Sequence, residues 1–110
     1  VALKRGDVVV VAYGELGRPR PAVIVQADEF GEDNTTILAC PITSEVAEKL
    51  AVRPIVDATD GNGLRIRSQI MTDRMLAIPR DRVRQVIGTI DPVTAGRLDT
   101  AMLLVLGLGR

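Results

Sequence analysis

Between residues 7 and 90 the apolar residues come in short β-branched runs, each closed by glycine, proline or acidic turn residues. This punctuation limits the fold more than any other feature, because such runs suit strands and are too short for a helical face. The first run, DVVVVAY at residues 7–13, follows an Arg5-Gly6-Asp7 turn. A loop at 14–19 leads to a second strand at 22–26, a turn cluster at 30–34 (FGEDN) and a third strand at 35–42. Pro41 within that third run predicts an edge or a strand end. Ser44 opens a helical turn or two over 45–50, and extended structure resumes at 52–56. The clearest turn signal is DGNG at 60–63. Residues 68–78 (SQIMTDRMLAI) alternate in part and predict a strand crossing from core to surface, with Ile70, Thr72 and Arg74 on one face. A single turn is expected at 81–84 and a last strand at 86–90. About seven short strands at this spacing predict a mainly β fold, a small antiparallel barrel or sandwich.

One segment breaks the pattern. Asp91-Pro92 is an N-cap and first-turn signature, and a helix is expected from there to about Leu106. Its polar positions, Thr94, Arg97 and Thr100, fade beyond residue 100, and AMLLVL is apolar all round. A domain of 110 residues seldom encloses a whole helix, so this end is expected to be covered by a partner.

The core must be aliphatic, since Tyr13 and Phe30 are the only aromatics. The length suits one domain. Cys40 stands alone, which excludes an intramolecular disulfide. No apolar run reaches the length of a membrane span and the first residues lack a signal pattern, so a soluble cytoplasmic protein without a membrane partner is expected. Fourteen basic and fourteen acidic residues cancel, which argues against a bulk nucleic-acid coat but leaves room for a local basic groove. Twelve of the fourteen basic residues are arginine, the side chain suited to bidentate phosphate contact. The absence of histidine removes the commonest general base and any Ser-His or Cys-His pair. Neither zinc spacing nor a glycine-rich nucleotide loop occurs, so no metal and no cofactor is expected.

Against that background the stretch GRPRPAVIV at residues 17–25 stands out. Each proline holds the residue before it extended, so Arg18 and Arg20 enter a strand with little freedom. Such arginines serve either as charged strand ends that discourage edge pairing or as fixed cations beside an anion site.

These residues, in order with Arg5-Gly6-Asp7, Pro41-Ile42-Thr43-Ser44, Asn62-Gly63-Leu64, residues 68–73 (SQIMTD), Ala77-Ile78 and the terminal helix, resemble the MazF/PemK/Kid toxins of bacterial toxin–antitoxin pairs. The likeness spans nearly the whole chain. It implies an SH3-like barrel with a C-terminal helix and a homodimer through the helix region. It also implies a metal-independent, sequence-specific endoribonuclease for single-stranded RNA. A cognate antitoxin would silence it by threading a disordered tail through the substrate groove.

The resemblance also implies roles. The 2′-hydroxyl of RNA would attack the neighbouring phosphorus, leaving a 2′,3′-cyclic phosphate and a 5′-hydroxyl. Arg20, in the family's Arg-Pro pair, would stabilise charge on that phosphate. Thr43 would donate to a phosphate oxygen or relay a proton, or serve as a turn hydroxyl. Glu15 would accept the 2′-hydroxyl proton, or be a solvated loop acid. Asp73 matches a strand aspartate that some members use as base, although Met71 replaces their arginine two positions earlier; otherwise it is structural. Arg18 is a clamp or a solvated charge. Ser44 is a contact or a simple N-cap. Ser68 and Gln69 match groove-lining readers of base or sugar. Arg53, Arg65, Arg67 and Arg74 either meet the RNA backbone or pair with Asp57, Asp60 or Asp73. With two aromatics, recognition should run through hydrogen bonds to splayed bases rather than stacking. The rivals are a same-fold gyrase poison of the CcdB branch, whose C-terminal tryptophan is missing here, and a silent SH3-like binding module, whose aromatic peptide groove is missing too.

Overall fold

The valine run forms β1 (Asp7–Ala12), a strand paired on both sides. The structure, a computed structural model, describes residues 2–12, 17–30, 35–49 and 51–109. On one side β1 meets β2 (Pro19–Ile24), antiparallel, from Val8↔Val23 to Ala12↔Pro19. On the other it meets β7 (Val83–Thr89), antiparallel, with two register shifts. Such irregularities sharpen twist and curl a sheet. Val8 packs with Val23, Cys40, Ile42 and Leu98, whereas Val9 and Val11 pack with Ala22, Ile24, Ile37 and Ile78. Two covered faces explain why β1 is a continuous apolar run and does not alternate.

β3 (Thr36–Thr43) lies beyond β2 and divides its far edge. Its first half pairs with β6 (Leu76–Pro79) and its end with β5 (Ser68–Ile70), which in turn pairs with the short β4 (Ile55–Val56). The sheet therefore runs β4-β5-β3-β2-β1-β7, with β6 also on β3. The result is a mainly β, antiparallel half-barrel closed by one C-terminal helix. Pro41 stands within this interior strand, not at an edge. Its carbonyl accepts from the Met71 N–H at 2.8 Å, so the side on which proline lacks a donor faces the break between β5 and β6.

Three expected elements change. Residues 68–78 are two strands separated by a 3-10 turn at Thr72–Arg74. The Thr72 hydroxyl donates to the Val52 carbonyl, and Asp73 holds Arg53 by two bonds of 2.7 and 2.9 Å, so the backbone turns where alternation predicts extension. Residues 45–49 form turns without a helix, because the Gln69 amide takes both the N–H and the carbonyl of Ala47. β2 starts three residues earlier than its apolar run, which places Arg20 inside the strand opposite Val11.

Helix α1 (Pro92–Val105) begins as its first residues require. The Asp91 carboxylate accepts from the Thr94 N–H at 2.7 Å, and Pro92 fills a first-turn position. Thr94, Leu98 and Ala101 face the core. Arg5 fastens the helix to the sheet: its guanidinium donates to Asp99 at 2.7 Å and to the Val25 carbonyl at 2.9 Å. Val93, Leu103, Leu104 and Leu106 remain exposed. Among the described residues no helix is long and apolar enough to cross a membrane.

Candidate functional site

The concave side of the sheet holds a groove of about 700 Å³. Its floor follows from strand register. Val10 pairs with Pro21 on one side and Gln85 on the other, and extending the β2–β3 register by one position sets Pro21 opposite Ile42. All four residues line the groove. One wall is the segment from Gly63 to Ile66, with Ser68 below it.

That wall is held by backbone contact. In the DGNG turn the buried Asn62 side chain accepts from the Thr59 and Leu64 N–H groups and donates to the Asp57 carbonyl. Gly63 takes a φ of +71°, and a side chain on it would strike the Ile87 carbonyl. Gly88 of β7 lies so close that a Cβ there would strike the Gly61 and Asn62 carbonyls. The Thr89 N–H donates to the Gly61 carbonyl at 2.9 Å.

The open end of the groove carries the polar groups. Continued one further step past Pro21 and Ile42, the same register sets Arg20 level with Thr43, whose own strand partner is Gln69. Arg18, Arg20, Thr43, Ser44, Ser68 and Arg65 all line the groove. Three guanidiniums therefore share it, and none has an ion-pair or hydrogen-bond partner among the described residues. No carboxylate is among the described lining residues. The surroundings favour an anion, since guanidiniums without a partner among the described residues offer planar forks to phosphate or carboxylate oxygens. The Thr43 oxygen accepts from the Glu45 N–H at 3.1 Å. That bond orients the hydroxyl and leaves its proton to donate into the groove. Ser44 has no helix to cap. The Ser68 hydroxyl donates to the Ile66 carbonyl at 2.9 Å and braces the wall.

The remaining candidates lie elsewhere. Gln69 is fully buried, and its amide bonds the backbone of Ala47 and Arg53, so it is a brace and not a reader. Asp73 sits on the 3-10 turn outside the groove, where hydrogen bonds from Arg53 hold its carboxyl below the usual range. Arg74 is exposed beside it. Arg67 is drawn to Glu48 at 3.3 Å and Asp57 at 3.9 Å. Glu15 lies outside the described residues. Burial pushes the Cys40 thiol up to about 11, so it is a protonated core residue, not a nucleophile. Among the described residues no cluster of acidic, cysteine or histidine groups is placed to hold a metal ion. Gln85 is a groove residue that sequence reasoning missed; its signal is a lone amide in the final strand.

Residues 4–106 match the family of PemK-like, MazF-like toxins of type II toxin–antitoxin systems. A probable endoribonuclease MazF of Mycolicibacterium smegmatis is 28% identical over 108 residues, covering 96% of this chain and 98% of that protein. Two solved structures share the fold. One is an endoribonuclease in complex with its cognate antitoxin from a mycobacterial species, with a TM-score of 0.80, 20% identity, and 97% of this chain and 95% of that chain covered. The other is the Mycobacterium tuberculosis toxin MazF-mt6, with a TM-score of 0.80, 24% identity, and 93% and 97% covered.

Proposed function

Because the chain belongs to the PemK-like, MazF-like toxins of type II toxin–antitoxin systems, we propose that its groove binds and cuts single-stranded RNA. A cognate antitoxin would block the same groove. The observation that carries the reading is the set of guanidiniums without a partner among the described residues, which line one groove together with Thr43.

The chemistry follows from what those groups offer. Ribose supplies its own nucleophile, so no metal is needed to make one. The 2′-oxygen bonds to phosphorus, the bond to the 5′-oxygen breaks, and a 2′,3′-cyclic phosphate and a 5′-hydroxyl remain. Arg20 stabilises charge on the non-bridging oxygens; β2 holds its backbone, so little reorganisation is required. Thr43 donates its hydroxyl proton to the same phosphate. Arg18 and Arg65 hold flanking phosphates. The proton of the 2′-hydroxyl goes to a base, for which Glu15 is the candidate, and a proton returns to the leaving 5′-oxygen. Two copies associate through the α1 region. In support, exposed Val93 and Leu104 flank a hollow of about 460 Å³ between α1 and residues 51–54.

The test is cleavage of single-stranded RNA by the purified protein in EDTA, with the new ends identified as cyclic phosphate and 5′-hydroxyl. Arg20→Ala is expected to lower the rate about 10²- to 10³-fold, the usual effect of removing one preorganised donor. A folded Arg20→Ala that cuts at the wild-type rate would overturn the site, and an inert wild type would overturn the activity.

A further inference from the structure

Besides two serines, the described groove lining holds one polar side chain for which the cleavage chemistry has no use. Gln85 lies on the floor row, across β1 from Pro21. Two strand spacings, about 10 Å, separate its strand from β2. That spacing is compatible with Arg20 holding one phosphate and Gln85 meeting a neighbouring nucleotide. Its side chain has no hydrogen-bond partner among the described residues. Around it the groove is aliphatic, with Val10, Leu64 and Ile87, and no aromatic residue is among the described lining residues.

Aliphatic walls can support the face of a base but cannot tell bases apart. Discrimination needs a donor and an acceptor aimed at the base edge. The arginines only donate, the Thr43 proton serves the phosphate, the Ser68 hydroxyl is held by the Ile66 carbonyl, and Ser44 offers a single hydroxyl and not a planar donor–acceptor pair. Gln85 carries the one side-chain amide among the described lining residues, with a carbonyl and an NH₂ in a single plane. That pairing suits the adjacent donor and acceptor on a nucleobase edge. We propose that Gln85 is a specificity-determining residue that reads the base of a nucleotide flanking the cut. The proposal rests on the ribonuclease reading above.

The experiment digests a pool of single-stranded RNA carrying a random segment with wild type, Gln85→Ala and Gln85→Glu, and sequences the 5′-hydroxyl ends. Gln85→Ala is expected to relax the preference at one position by about ten- to a hundredfold, as loss of a bidentate base contact does elsewhere. Preferences at other positions should stay. Gln85→Glu offers two acceptors and no donor, so it is expected to shift that position toward guanine, whose N1–H and N2–H₂ both donate. A merely structural glutamine would not produce such a switch. Unchanged preference in both variants, with wild type cutting, would overturn the Gln85 assignment and leave the ribonuclease reading intact. Failure of every form to cut would overturn both.

Discussion

Arg20 and Arg53 carry the same guanidinium, and their neighbours give them opposite roles. Arg53 is clasped by Asp73 in a two-bond ion pair, while Arg20 opens on the groove without a partner among the described residues. A cation already neutralised by a carboxylate has little left for a phosphate. The same pair makes Asp73 a weaker base, since Arg53 stabilises its ionised form and lowers its proton affinity. Asp73→Asn is therefore expected to keep RNA cleavage within a few-fold of wild type; if Asp73 were the base, the loss would be about 10²- to 10⁴-fold. Its effect should appear in stability. A carboxyl lowered in the folded state contributes above its unfolded value of about 3.9, and the contribution disappears as pH falls through the folded value. Asp73 is 40% exposed, so the contribution is small, up to about 1 kcal/mol. Urea melts at pH 7 and at pH 2.5 should show a wild-type advantage over Asp73→Asn that shrinks at the lower pH.

At the scale of elements, two glycines make opposite predictions. Gly88 is pressed against the backbone of the DGNG turn, and no flexible side chain there can move aside. Gly88→Ala should cost about 1–3 kcal/mol in denaturant melts and displace the wall that carries Leu64, Arg65 and Ile66. Gly96 lies in α1, where a methyl group would meet nothing within 4 Å. Gly96→Ala should raise the stability of the separated chain by about 0.5–1 kcal/mol. The elements that sequence reading recovers are those set by local chemistry: β1 by its valines, the 60–63 turn by Asn-Gly, α1 by Asp91 and Pro92. It misjudges residues 45–49 and 68–78 because distant partners decide them. Gln69 bonds residues 47 and 53, and Thr72 bonds residue 52. Nothing in a window of neighbouring residues signals those bonds.

The whole molecule presents an apolar helix end that its own sheet does not cover. Leu104 is 52% exposed and Leu108 70%. Leu104→Asp should shift the protein to a slower-sedimenting monomer in analytical ultracentrifugation; an unchanged sedimentation profile would remove the helix from the interface. The groove obeys a similar distinction in legibility. Arg20 and Thr43 come from the family likeness, and the pairing of β2 with β3 brings both to the groove. Arg65 and Gln85 join them only through a turn packed on β7 and a strand paired across most of the chain, relations that no local pattern encodes.

The pairing of Val10 with Gln85 has a further consequence. The first strand of this domain waits for nearly the last. During synthesis the chain emerges from its N-terminus, so one edge of β1 stays bare until residues 83–89 are made. Any product that stops earlier lacks Gln85 and Ile87 of the groove and the strand that covers this edge of β1. Completion of the groove floor is thereby tied to the last strand of the sheet.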